Sequence, residues 1–155
     1  MTPSLLTQPD AWAPLAIVDA PMPATSGLVA ILSEADIVTA RQQGRTLAAR
    51  LGFSLTEATL VATVISELAR NILLYAGSGT IVLQTIDDRT PRGILIVASD
   101  HGPGIADVRQ ALAGGYSTSG GLGLGLCGVR GLVDDFDIVS EAGAGTTVTL
   151  RKWTH

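Results

Sequence analysis

Hydrophobic and polar positions along this chain follow two periods, and the switches between them mark its elements. Residues 28–32 form a short apolar run that predicts a strand. Ser33-Glu34-Ala35-Asp36 follows with the S-x-x-D spacing of a helix start. Ile37, Ala40, Leu47, Ala48 and Leu51 then fit a helical stripe, which Gly52 is placed to stop. Ser54-Leu55-Thr56-Glu57 is a second start, with S-x-x-E spacing. It predicts a long helix to about Tyr75, with Val61, Ile65, Leu68 and Ile72 as its core stripe and Gly77-Ser78-Gly79 as its end.

Beyond that helix the pattern changes period again. Residues 80–86 read as a strand and residues 87–92 as a polar turn. Residues 94–98 are continuously apolar, which predicts a strand covered on both faces or centrally placed. A short helix is expected over 107–113, a Gly/Ser/Thr-rich loop over 114–123 and a helix over 124–133. Residues 136–140 and 146–153 read as a hairpin around Gly143-Ala144-Gly145. The first 26 residues hold five prolines and are expected to be a tail, leaving 27–155 as one domain. Strands and helices mixed in this order predict an α+β fold, a two-layer α/β sandwich with helices on one face of the sheet.

Composition narrows the class. The chain has 155 residues, 46% hydrophobic and 15% charged, enough to build a core. Its net charge is −4, and no run of Lys or Arg exceeds two, so a nucleic-acid partner is not expected. Cys127 is the only cysteine, which excludes an intramolecular disulfide; on an apolar helix it reads as packing. No uninterrupted apolar stretch reaches eighteen residues and no signal peptide is evident, so a cytoplasmic protein without membrane association is predicted.

Four short patterns carry candidate chemistry. Glu67 and Asn71 lie one helical turn apart, roughly 100° from the centre of the core stripe, and are expected to flank the core. A carboxylate suits a general base, and an amide oxygen is a hard ligand for Mg²⁺. Asp100-His101-Gly102-Pro103-Gly104 follows the apolar strand, where Asp100 is placed to accept from an exocyclic amine such as that of adenine. Gly102 and Gly104 let backbone approach a flat ring. Ser117-Thr118-Ser119 and the alternating Gly121, Gly123 and Gly125 precede a helix, as in a phosphate cradle. Gly143-Ala144-Gly145-Thr146 precedes the last strand and reads by itself as a turn. His101 is expected on a loop surface; Arg109 and Arg130 are candidates for phosphate contact or for a solvated helix face.

The order and spacing of the four patterns resemble the nucleotide-binding boxes of the GHKL (Bergerat) ATPase superfamily. Ser66-Glu67-Leu68-Ala69-Arg70-Asn71, Tyr75-Ala76-Gly77, the Asp100 motif, the segment 116–123 and Gly128-Val129-Arg130 are most similar to the anti-sigma-factor serine/threonine kinases, and among these to stressosome switch kinases of the RsbT type. The resemblance spans about residues 27–153. It implies a mixed, mostly antiparallel sheet, ATP and Mg²⁺ as ligands, and phosphorylation of a partner on Ser or Thr. The implied roles are Glu67 as base, Asn71 on Mg²⁺ and Asp100 on adenine N6, with Gly102 and Gly104 against the nucleotide. Ser117, Thr118, Ser119, Gly121, Gly123 and Gly125 would hold the phosphates, and Thr146 would support Asp100 through hydrogen bonds. The implied partners are STAS-domain proteins, with a PP2C-type phosphatase or a sigma factor as further binders. An ATP-binding sequestering module with little kinase output is the alternative.

Overall fold

The structure is a computed structural model that describes residues 26–88, 90–113 and 125–154. The elements appear in the predicted order. They are β1 (Gly27–Ile31), α1 (Glu34–Leu51), α2 (Leu55–Tyr75), β2 (Gly79–Ile86), β3 (Gly93–Asp100), α3 (Val108–Leu112), α4 (Gly125–Leu132), β4 (Asp135–Glu141) and β5 (Gly145–Trp153). The predicted tail and the loop at 114–123 lie outside the described residues.

Local chemistry explains where the long helices begin and end. Before α1, Asp36 Oδ2 accepts from the backbone N–H of Leu32 and Ser33 at 2.8 and 3.0 Å. At α2 the Ser54 hydroxyl accepts from Glu57 N–H at 3.1 Å. The bonds from Ser33 and Glu57 N–H satisfy donors that a helix start leaves unpaired. Gly52 closes α1 in the left-handed conformation, φ 94°, which costs a glycine nothing.

The five strands form one sheet in the order β1-β2-β3-β5-β4. Every pairing among the described strands is antiparallel, in keeping with the mostly antiparallel sheet that the resemblance implied. Val29 and Ile31 of β1, Ile81 and Leu83 of β2, and Ile94, Ile96 and Ala98 of β3 join Val61, Ile65, Leu68 and Ile72 of α2 in one core. The opposite face of the sheet holds a smaller apolar cluster of Val82, Leu95 and Val97, with no helical residue in it among the described residues. The unbroken apolar run of β3 is thus explained, because its alternate side chains are buried on opposite faces.

Two expectations need correction. Glu67 does not flank the core: it is buried, with 2% exposure. The core stripe marks only the face toward the sheet, but α1 and α4 also pack against α2. The buried arc therefore widens to take in Ser66, Glu67, Leu68 and Ala69. Cys127 is not packed but exposed. On α4 the inward spacing falls on Leu126 and Val129, which turns Cys127 outward.

Leu55–Tyr75 is long and apolar enough to cross a membrane by length and composition alone, but its apolar stripe lies on the sheet. Ile65 has 0% exposure at the centre of that contact. Ile65→Ala is expected to cost about 2–5 kcal/mol through lost burial and a residual cavity. Urea unfolding checks this: the midpoint should fall with an unchanged slope.

Candidate functional site

One transverse row of the sheet organises the site. Gly79 lies opposite Asp100, Asp100 opposite Thr146, and Thr146 opposite Ser140. Ala98 and Val148, two residues along β3 and β5, point into the helical core, so this row shares their face. The carboxylate of Asp100 and the hydroxyls of Thr146 and Ser140 therefore stand at one end of the sheet, on the side of α2.

Asp100 Oδ1 accepts from Gly102 N–H at 2.9 Å, which fixes the turn after β3. Its other oxygen makes no bond to a described residue. Two features clamp the turn against the β4–β5 hairpin. Gly143 N–H donates to Pro103 O at 2.7 Å. Gly104, at φ 77°, lies so close to the Glu141 backbone that a Cβ there would collide with it. A Cβ at Gly102 would meet the Ala76 side chain at 2.5 Å. Both glycines are thus required by protein contacts, whatever ligand they face.

Ser140 ties this assembly together. Its hydroxyl lies 3.1 Å from Gly145 O, 2.7 Å from Ile105 N and 2.7 Å from Thr146 Oγ1. A serine has one proton and two lone pairs. With the proton given to Gly145 O, the lone pairs accept from Ile105 N–H and from the Thr146 hydroxyl. Ser140 is then fully satisfied and Thr146 Oγ1 keeps its own lone pairs. Thr146 bonds Ser140, not the Asp100 carboxylate.

Asp100, Pro103, Gly104, Ile105 and Thr146 of this assembly border a cavity of about 150 Å³ between α2 and the sheet. Asn71, Asp100, Gly104, Gly125 and Thr146 all line it, so five of the predicted site residues converge. Leu68 and Ile72 supply part of its apolar wall. An apolar slot with a few polar groups suits a flat heterocycle bearing hydrogen-bonding edges. The open Asp100 oxygen and Thr146 Oγ1 match an amine donor at such an edge, so the residues present fit adenine. Asn71 adds a hard oxygen on the same wall.

Other predicted residues fall elsewhere. Glu67 and Gly102 do not line the cavity. Glu67 instead pairs with Arg70 at 2.8 Å. His101 is exposed, as expected of a loop residue. Arg109 and Arg130 border a separate groove with Leu112. Ser117, Thr118, Ser119, Gly121 and Gly123 lie outside the described residues. The sequence reading missed Ser140, whose signal was a small hydroxyl residue placed to face Thr146 across the hairpin. It also took Leu68 and Ile72 for core alone.

The fold and the cavity define a nucleotide-binding class, and similarity to known proteins agrees. The profile of the histidine kinase-, DNA gyrase B- and HSP90-like ATPases matches residues 56–154, and the chain belongs to that family. It is 51% identical to the serine/threonine-protein kinase RsbT of Bacillus subtilis over 125 residues, covering 81% of this chain and 94% of the relative. It is 32% identical to an anti-sigma F factor of Halalkalibacterium halodurans over 112 residues, covering 67% and 75%. A solved blue-light activated histidine kinase of Erythrobacter litoralis EL346 aligns at 22% identity and TM-score 0.47, over 64% of this chain and 31% of the other.

Ser140→Ala removes the acceptor of Ile105 N–H and the partner of Thr146. A polar group left unsatisfied costs about 1–3 kcal/mol. The substitution is expected to lower stability by that amount in denaturant titration and to speed hydrogen exchange at Ile105.

Proposed function

We propose that the chain is a partner-switching protein kinase that transfers the γ-phosphate of Mg-ATP to a serine or threonine of a STAS-domain protein. The observation that carries this reading is the convergence of Asn71, Asp100 and Thr146 on one apolar cavity, in a chain half identical to a serine/threonine kinase. The partner class follows from the resemblance to switch kinases. A PP2C-type phosphatase or a sigma factor is the alternate binder, and the setting is the cytoplasm. Residues 27–155 are the working domain and residues 1–26 a tail.

Each residue has one task. Asp100 accepts from the exocyclic amine of adenine, with Thr146 beside it as a second polar contact. Leu68 and Ile72 hold the faces of the ring. Gly102 and Gly104 shape the turn that carries Asp100 to the ring. Ser117, Thr118, Ser119, Gly121, Gly123 and Gly125 hold the phosphates, with backbone N–H groups at the start of α4 adding positive potential. Asn71 would hold Mg²⁺ through its amide oxygen, a hard ligand suited to that cation, which would supply positive charge beside the phosphates.

ATP supplies the phosphoryl group when bound. The acceptor hydroxyl oxygen bonds to the γ-phosphorus, the bond from that phosphorus to the β–γ bridging oxygen breaks, and ADP leaves with the electron pair. Glu67 takes the hydroxyl proton. Phosphoryl transfer is largely dissociative, so positioning and charge carry much of the rate and the base a smaller part.

Incubation of the protein and labelled Mg-ATP with STAS-domain proteins from the same cell tests the reading. Tight binding of such a protein without any phosphate transfer would favour a sequestering module, the role that the name of the anti-sigma F relatives suggests.

Two substitutions separate binding from transfer. Mg-ATP at about 100 times its dissociation constant should stabilise the wild type by roughly 2.7 kcal/mol, read as a rise in Tm. Asp100→Asn keeps an oxygen for Gly102 N–H but replaces the open acceptor by a donor, so most of that rise should vanish. A mutant that retains it removes Asp100 from adenine recognition. Glu67→Ala, in contrast, should retain the ATP-induced rise while losing most partner phosphorylation, since a base contributes ~10²–10⁴-fold to rate. Wild-type turnover in that variant would end the base assignment.

A further inference from the structure

Glu67 is the only buried carboxylate among the described residues. Charge in such a place is costly unless it is paired. The pairing comes from its own helix. Arg70 Nη1 donates to Glu67 Oε2 at 2.8 Å, and the two side chains are 31% and 3% exposed. The arginine thus reaches in from the surface to a carboxylate that solvent scarcely touches.

Helix geometry gives this pair a direction. Residues three and four further on lie about 60° to one side and about 40° to the other of a given position. Glu67 is therefore bracketed by Arg70 and Asn71. Asn71 lines the cavity, and Arg70 does not. The ion pair is single-pronged: it occupies Oε2, while Oε1 has no bond to a described residue. One oxygen is thus tied to the neighbour that does not line the cavity, and the other has no described partner.

We propose that Arg70 is the positioning residue of Glu67. Its guanidinium offsets the burial of the carboxylate and anchors Oε2, so that Oε1 is the atom that takes the acceptor's proton. This rests on the reading of Glu67 as the base. Arg70 itself touches neither nucleotide nor acceptor. A packing role would make loss of Arg70 harmful whatever stands at position 67; a positioning role makes its effect depend on Glu67.

The test is a double-mutant cycle in the full-length chain. Wild type, Glu67→Gln, Arg70→Met and the double variant are assayed for transfer of labelled phosphate from Mg-ATP to a recombinant STAS-domain acceptor. Mg-ATP affinity is measured on the same samples by calorimetry. Arg70→Met is expected to lower kcat by about tenfold or more, part of the ~10²–10⁴ that a general base supplies, with the ATP Kd changed by less than about twofold. In the Glu67→Gln background it should cost nothing further. Arg70→Lys should restore part of the rate, because a single-pronged bond needs one donor and a charge; it also serves as the variant of choice if Arg70→Met fails to fold. Equal losses from Arg70→Met with and without Glu67 overturn the proposal, as does a rise in kcat, which would make the ion pair a restraint on Glu67. Failure of the underlying reading looks different: Glu67→Gln alone would then run at the wild-type rate.

Discussion

β3 and β5 are paired antiparallel along their lengths, from Gly93 opposite Trp153 to Asp100 opposite Thr146. This register brings the ends of two strands distant in sequence into one polar row. A slip of one residue would turn Thr146 to the other face of the sheet and break the row. The apolar pattern of β3 does little to prevent that slip, because the strand is buried on both faces. Glycines at the two ends supply the missing specification. A Cβ at Gly93 would run into the Trp153 ring, and one at Gly145 would run into the backbone of Asp100. Gly145 also sits at φ 94°, where most side chains are strained. The strands fit together only where a glycine meets each of these obstacles.

Stability and chemistry share the second constraint, helix α2. Leu68 and Ile72 belong to the main core and also wall the cavity. Asn71 stands between them in sequence and lines the same cavity. The helix cannot rotate to improve one function without losing the other: a turn that buried Asn71 more deeply would lift Leu68 and Ile72 from the sheet. The burial of Glu67 follows from the same packing. With α1 and α4 also against α2, a position next to the core stripe becomes interior, and among the described residues its countercharge comes from Arg70 of the same helix.

Much of this was legible in the residues. Ser54 and Glu57 announced the start of α2, Gly52 the end of α1, and the unbroken run after Gly93 announced a strand covered on both faces or centrally placed. Local signals of that kind depend on neighbours a few residues away. What was not legible depends on partners far along the chain. The burial of Glu67 needed the placement of α1 and α4. The role of Ser140 needed the hairpin register, which sets its hydroxyl among Thr146, Gly145 and Ile105. Gly102 and Gly104 were read as openings for a ring, yet the atoms that exclude a side chain there belong to Ala76 and Glu141.

That last difference changes how the Asp-x-Gly-x-Gly spacing works. The aspartate must project from a strand end while its backbone turns sharply away, and its own Oδ1 makes the turn by holding Gly102 N–H. The first glycine then passes under the C-terminal end of α2, at Ala76. The second passes against the β4–β5 hairpin, which Gly143 draws in by donating to Pro103 O. Side chains at either point would push the turn outward and carry the aspartate with it. The recognition proposed for Asp100 is therefore prepared by protein contacts alone: the helix end on one side, the hairpin on the other, and Ser140 accepting from Ile105 N–H just beyond. A site built this way has its acceptor oxygen oriented before anything binds, which spares the ligand the entropy of ordering it.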